Sequence, residues 1–330
     1  MPDPRAAKLL ELIEALRVPP GKTVQLHHDF DPGYKAGWLH KREGRQMLEL
    51  GVELLAEYQD RLAADASRGL LVVLQGIDAA GKDGTIRHVM SGVNPQGVTV
   101  HSFKVPSKEE LAHDFLWRYG RALPARGQIG IFNRSHYEEV LVVRVHPDQL
   151  ANEQLPGAQA AADGDGDAHR EPGHDIWRRR FRDINGWERH LSDSGLRIVK
   201  LFLNLSKEEQ RRRFLKRIDL AEKNWKFSSA DARERAFWDD YQHAFSQMLS
   251  HTSTEWAPWH VIPADHKWFA RIAVSAVIVQ ALVELDPQYP SVSDDDRRAL
   301  AEAKSQLEAE APAGAPADPF AAGSRHHGDR

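Results

Sequence analysis

The chain has 330 residues, 41% hydrophobic and 28% charged, with a net charge of −4 when its 17 histidines are neutral. That length suits one large α/β domain or two small ones, and the charge balance argues against a nucleic-acid coat protein or a membrane binder. The absence of cysteine excludes disulfides, thiolate metal sites and cysteine nucleophiles, and suits a reducing cytoplasm.

In chain order, residues 1–45 read as a leader with a short helix around 8–16 and then an irregular stretch, VQLHHDFDPGYKAGW. The first segment is charged throughout, so it is no signal peptide. Met47, Leu50, Leu54, Leu55, Tyr58 and Leu62 recur at helical spacing and predict an amphipathic helix ended by Gly69. The apolar run 70–74 predicts a central parallel strand covered on both faces. Further strands are expected at 98–103, 127–132, 196–205 and 259–262. Helices are expected from a Ser107/Glu110 capping box to about 122, and over 138–145, 176–191, 231–249 and 267–285, with another capped by Ser206 and Glu209. This alternation predicts an α/β fold with a parallel sheet and helices on both faces. The apolar run 272–283 is too short to span a bilayer and reads as a buried helix of a soluble protein. Residues 156–173, rich in Ala, Gly and Asp, read as a mobile surface insertion. The tail from about 287 is expected to be disordered, or weakly helical near 296–309, and carries no assigned chemistry.

Chemistry concentrates after the first strand. Gly76-Ile-Asp-Ala-Ala-Gly81-Lys82 matches the G-x-x-x-x-G-K part of a phosphate loop, between a strand and a helix-compatible segment. Its glycines let backbone N–H groups converge on phosphate oxygens, Lys82 adds a point charge, and the next helix adds its positive dipole end. Gly76, Ala79, Ala80, Gly81, Lys82, Asp83, Gly84 and Thr85 are the candidate binding residues. Ordinary phosphate loops place Ser or Thr where Asp83 stands. Asp78 is then a candidate for holding magnesium between two phosphate chains; Asp83 either shares that task or is a helix-start acid favoured by the dipole. A second loop follows the third strand, where Asn133 takes the place of the usual acid. Arg134 there is placed to clamp an oxygen of a transferred phosphoryl group, with Glu138 and Glu139 as alternative sources of the missing carboxylate.

Residues 207–226 carry eight Lys or Arg against four acids, either a solvated helix face or a lid closing over phosphates. Further basic residues, among them Arg118 and Arg178, hint at an anion track longer than one nucleoside triphosphate needs. RNA, DNA or an inorganic phosphate chain would fill it, and composition does not choose between them.

Taken together, GIDAAGKDG, KVPSKEE, FNRSHYEEVLVVRVH, INGWERHL and FLKRIDLAEKNWKFSSAD closely resemble the polyphosphate kinase 2 family, over about residues 27–285. The resemblance implies a three-layer, thymidylate-kinase-like P-loop domain over 1–285, with an N-terminal extension over 1–68, a lid near 207–230 and a tail over 286–330. It implies transfer of the terminal phosphoryl group of inorganic polyphosphate to AMP or ADP, giving ADP or ATP, with magnesium and manganese as its substitute. Asp78, Lys82 and Arg134 are the implied catalytic set, with Asp78 and Glu138 toward the metal. The lid cations Lys216, Arg217, Lys223 and Lys226 are expected to guide the phosphate chain. The run at 133–138 looks like the group acting on both AMP and ADP, other groups having aspartate where Asn133 stands. Neither a histidine base nor a phospho-enzyme is expected, and His136 is read as structural. A cytoplasmic homo-oligomer, dimer or tetramer, with no nucleic-acid or membrane partner, completes the expectation. The alternatives are an ATP-dependent nucleotide or small-metabolite kinase of the same fold, and a non-enzymatic polyphosphate- or nucleotide-binding regulator.

Overall fold

The computed structural model describes residues 7–37, 40–153, 174–226 and 229–310. The insertion expected at 156–173 lies outside the described residues, as does 311–330. The chain divides into two compact units, Met1–Gln288 and Tyr289–Arg330. Numbering only helices of eight residues or more, the first unit runs α1 (Lys41–Asp65), β1 (Gly69–Gly76), α2 (Lys82–Val89), β2 (Val98–Ser102), β3 (Ile129–Asn133), α3 (His174–Asp193), β4 (Leu196–Asn204), α4 (Lys207–Asp219), α5 (Trp238–Thr252), β5 (Trp259–Pro263) and α6 (Lys267–Leu285). The second unit holds α7 (Asp294–Ala309), started by the Ser293 side chain accepting from the Asp296 amide; no residue of it is buried.

The five strands form one parallel sheet in the order β2-β3-β1-β4-β5. β1 lies in the middle and is buried on both faces, which explains its unbroken apolar run. Its alternate residues feed two cores. Leu70, Val72 and Leu74 pack with α1 and α6, while Leu71 and Val73 pack with α3 and α5. The result is the expected three-layer α/β sandwich. β1 and β3 are registered with Leu74 opposite Asn133, so the phosphate loop and the turn after β3 leave the sheet side by side. That is the end at which parallel sheets bind ligands.

α6 occupies the predicted span. It is longer than its apolar centre suggested, and at 19 residues with a mean hydropathy of 1.7 it meets the length and composition of a membrane span, yet 67% of that window is buried inside the fold. α1 packs on it at close range: a Cβ on Gly51 would stand 2.3 Å from the Ser275 Oγ.

Three predicted helices are interrupted. The capping box forms, Ser107 Oγ accepting from the Glu110 amide at 3.2 Å, but the helix stops at Leu111 and resumes only as Trp117–Gly120. Asp114 is the cause: its carboxylate accepts from the Leu116 amide at 3.0 Å, a local bond that competes with the helix ladder. Residues 138–145 become a 3₁₀ turn, His136–Val140, and a short helix, Val142–Val145. Residues 231–249 split among Ser229–Glu234, a 3₁₀ turn Arg235–Phe237, and α5. In the leader the single helix is Ala7–Leu10 followed by a 3₁₀ turn, and the stretch taken as irregular contains the turn of helix Leu26–Asp29. α1 ends at the left-handed Ala66, and Gly69 instead opens β1.

Candidate active site

The loop between β1 and α2 curls because its backbone enters the left-handed region repeatedly. Gly76 has φ 152° and Gly81 φ 107°, with Ala79 at 65° between them. Gly76 is doubly constrained, since a Cβ there would lie 2.9 Å from the Leu203 carbonyl of β4. Gly81 caps α2, and Lys82 opens that helix. The Lys82 ammonium folds back to donate to the Gly76 carbonyl at 2.6 Å. Burial, and then the neighbouring Arg134, push its pKa down to about 8.

α4 fastens the loop from outside. Buried Arg213 donates to the Ala79 carbonyl at 3.0 Å and the Ala80 carbonyl at 2.9 Å, and reaches the Ala264 carbonyl beyond β5. Gln210 donates to the Asp78 carbonyl at 3.0 Å and accepts from Arg235 at 2.7 Å. The sequence does not single these two residues out, since Arg213 is one of eight Lys or Arg over 207–226.

The turn after β3 supplies the facing wall. Arg134 is left-handed, with φ 64°, and its guanidinium donates to Asp78 at 2.7 Å and Glu138 at 3.3 Å. Glu138 first, then Asp78, hold its pKa above the ordinary arginine value. Asn133 donates to the Asp83 carboxylate at 2.7 Å and to Ser102 Oγ at 3.3 Å, tying α2, β3 and β2 together. Asp78, Arg134 and Glu138 thus converge, whereas Asp83 is held by an amide. Glu139 also reaches the cleft onto which these groups open, but other partners hold it apart from Arg134. It accepts from the Tyr119 hydroxyl at 3.0 Å, stands 3.7 Å from Arg180, and burial pushes its pKa up to about 7.

These groups open onto a cleft of about 820 Å³ whose wall includes Asp78, Lys82, Asn133, Arg134, Glu138 and Arg217. Ala79, Asp83 and Arg118 also reach it. Arg118 is buried; it donates to the Lys104 carbonyl at 2.7 Å, while its Nε and a second terminal nitrogen make no hydrogen bond. Gly76, Ala80, Gly81, Gly84 and Thr85 shape the loop and helix start without lining the cleft. Two candidates fall outside it. Arg178 is exposed on α3, and the arginine of that run turned inward is Arg180, which pairs with Glu139 and Glu153. Its spacing of four from the buried Ile176 and Ile184 was the available signal. Lys216 is exposed on α4 away from the cleft wall. Lys223 and Lys226 belong to a 3₁₀ stretch, Ala221–Lys226, and their side chains lie outside the described residues.

Behind the turn lies a second set of polar groups, closed to solvent. Glu188 accepts from His136 at 3.1 Å, from the Tyr137 hydroxyl at 2.7 Å and from Lys200 at 2.7 Å. Lys200 also donates to the Thr252 carbonyl at 2.6 Å. His136 is fully buried, and burial holds its pKa below the ordinary imidazole value. It does not line the cleft.

With this geometry in view, the comparisons with known proteins are decisive. The family model described as polyphosphate kinase 2 matches residues 38–156 and 173–290. The chain belongs to the polyphosphate kinase 2 family. Among its relatives, an ADP-polyphosphate phosphotransferase of Rhodopseudomonas palustris is 49% identical, over 84% of this chain and 91% of that protein. An AMP/ADP-polyphosphate phosphotransferase of Meiothermus ruber is 42% identical, over 83% of this chain and 94% of the relative. The crystal structure of polyphosphate kinase 2 from Arthrobacter aurescens superimposes with a TM-score of 0.75 at 40% identity, covering 88% of this chain and 96% of that one. The protein is thus a polyphosphate kinase 2 enzyme, a phosphotransferase on a P-loop α/β scaffold.

Proposed function

We propose that the protein transfers the terminal phosphoryl group of inorganic polyphosphate to AMP and to ADP, giving ADP and ATP, as a magnesium-dependent cytoplasmic enzyme. The observation that carries this reading is the convergence of Lys82, Arg134 and Arg217 with Asp78 and Glu138 in one cleft beside the phosphate loop. Two polyanions must meet end to end there, and fixed cations lower the repulsion between them without any reorganisation in the transition state. In the free protein Arg134 is neutralised by Asp78 and Glu138. Phosphate oxygens entering the cleft compete for its guanidinium, which has the fork geometry to hold two of them.

The donor set fits magnesium. That ion is ordinarily held by one or two carboxylates together with substrate phosphates and water. Asp78 and Glu138 supply two on the same wall, and no group of three or more candidate metal ligands occurs among the described residues, so a cage built by protein alone is not in view. Held by Asp78 and Glu138, magnesium would neutralise phosphate charge. Chelation is expected to abolish turnover and either magnesium or manganese to restore it.

The remaining steps fall to the chain itself. Lys82 carries positive charge beside the loop, and the α4 anchors Gln210 and Arg213 keep the loop carbonyls turned outward. The acceptor's terminal phosphate oxygen, largely ionised near neutral pH, attacks the terminal phosphorus of the polyphosphate in line. The anhydride bond behind that phosphorus breaks and the chain shortened by one phosphate leaves as an anion, so no general base is needed. The segment near 207–230 acts as a lid that excludes water.

The test offers AMP and ADP separately to purified protein with magnesium and long-chain polyphosphate. ADP from AMP and ATP from ADP are expected. Product from a single acceptor would narrow the reading to one substrate, and transfer from ATP to another small molecule in place of polyphosphate would overturn it. Light scattering of the same sample is expected to give a dimer or tetramer mass; a monomer contradicts the oligomer.

A further inference from the structure

The segment between α4 and α5 is tied down at two adjacent residues. Glu234 ends the short helix Ser229–Glu234. Its carboxylate accepts from the Tyr241 hydroxyl of α5 at 2.6 Å and stands 2.6 Å from His146 Nε2, just past the short helix Val142–Val145. The His146 ring also meets the Phe237 ring edge-on, with centroids 4.8 Å apart. Arg235, the next residue, reaches to α4. Its guanidinium donates to the Gln210 side-chain oxygen at 2.7 Å and to the Lys207 carbonyl at 3.1 Å.

Gln210 carries that contact on to the phosphate loop. Its side-chain nitrogen donates to the Asp78 carbonyl at 3.0 Å, and the residue is buried. These two partners leave the amide one orientation. A backbone carbonyl only accepts and a guanidinium only donates, so Gln210 turns its nitrogen to Asp78 and its oxygen to Arg235. Without Arg235 the buried oxygen loses its donor, and a half-turn of the amide would set that oxygen against the Asp78 carbonyl.

The residue held in this way is the one whose carboxylate takes Arg134 at 2.7 Å. Asp78, Arg134 and Glu138 also border a small pocket of about 40 Å³ together with Glu234, Arg235 and Tyr241. The segment between α4 and α5 therefore ends against the same groups that line the cleft. Both acceptors of the Arg235 guanidinium are protein oxygens, which favours a supporting role over a phosphate contact.

We propose that Arg235 is a positioning residue, which through Gln210 fixes the Asp78 backbone and with it the place of the Asp78 carboxylate in the cleft. This rests on Asp78 serving the phosphoryl transfer proposed above. Glu234, held by Tyr241 and His146, braces the backbone from which Arg235 projects. A slightly displaced carboxylate still meets the substrates but fits the transition state less well, so the loss falls on kcat and not on KM.

The test is a double-mutant cycle on the full chain, with Arg235→Met, Gln210→Leu and the pair, assayed with ADP, magnesium and long-chain polyphosphate. Each single variant is expected to lower kcat about tenfold, with KM for ADP and for polyphosphate close to wild type. Both changes break the same relay, so the pair is expected to lose no more than the worse single variant. Arg235→Lys keeps a donor for Gln210 and is expected to restore most of kcat. Losses that multiply in the pair, to about a hundredfold, overturn the relay. So does an unchanged kcat in Arg235→Met, and so does a raised KM for polyphosphate in that variant, which would make the guanidinium a phosphate contact. A kcat that follows the thermal unfolding midpoint through all the variants, Arg235→Lys included, overturns it as well. A wild type that turns over no polyphosphate removes the proposed function and the relay with it; an active wild type with multiplying losses removes the relay alone.

Discussion

Two polar clusters lie on either side of the turn after β3, built from similar residues and used differently. On the cleft side Asp78, Arg134 and Glu138 are partly exposed and meet in a set that substrate can replace. On the inner side Glu188 and Lys200 are buried at 1% and 0% side-chain exposure, with His136 and Tyr137 completing the set. The inner cluster offers nothing to a ligand, because Glu188 and Lys200 have their partners inside the fold. The comparison teaches that charge alone does not mark a catalytic residue; exchangeable partners do. The inner set fixes the turn from which Arg134 projects.

The comparison can be broken from either side, and the largest effect is expected within. Glu188→Ala leaves the Lys200 ammonium buried and unpaired, and should destabilise the fold by about 3–5 kcal/mol in denaturant unfolding. A loss below about 1 kcal/mol would show that the cluster is not the clamp described here. Arg213→Ala removes the donors to the Ala79 and Ala80 carbonyls. A cost of about 1–3 kcal/mol in stability is expected, with kcat falling as the loop loosens; an unchanged kcat contradicts the anchoring role. Gly51→Ala tests the helix packing under the sheet, where the added Cβ meets Ser275, and should cost about 1–3 kcal/mol with kinetics intact.

The smallest effect is in pH. Lys82 has its pKa lowered from 10.5 to about 8, so the free enzyme loses this cation as pH rises through about 8. KM for polyphosphate should then climb above that pH, while kcat, measured with phosphate bound and the ammonium re-stabilised, declines only at higher pH. The stability sign is opposite to that of a paired lysine. The unfolded chain keeps the proton up to 10.5, so the penalty for burying the charge is complete below about 8 and fades as pH rises toward 10.5. A flat KM profile would remove Lys82 from phosphate binding.

Much of the fold was legible because a parallel sheet writes itself as apolar runs between helices, and 70–74 and 267–285 are the plainest cases. The breaks were not legible. Asp114 inside a helical pattern stops it through a side-chain bond to its own neighbourhood, and periodicity carries no trace of that bond. Of the site, the loop glycines, Lys82 and Arg134 could be read because their spacing encodes a backbone shape. Arg213 could not be singled out by charge. What distinguishes it is its place beside Phe214 and three positions after Gln210, on the face of α4 turned to the sheet. Its partners in the phosphate loop lie more than 130 positions away in the chain. Asp83 was left open between metal ligand and helix-start acid, and its bond to Asn133 joins two positions that the sequence marks as unusual without showing that they touch.

The most direct measurement is ATP formation from ADP and polyphosphate by Lys82→Ala and Arg134→Ala, each paired with its thermal unfolding curve. Both variants should lose about 3 kcal/mol or more of transition-state stabilisation, at least a hundredfold in rate. Their unfolding midpoints should stay close to that of the wild type. Normal turnover in either variant, or activity and stability collapsing together, would contradict the claim that the exchangeable set at the cleft performs the phosphoryl transfer.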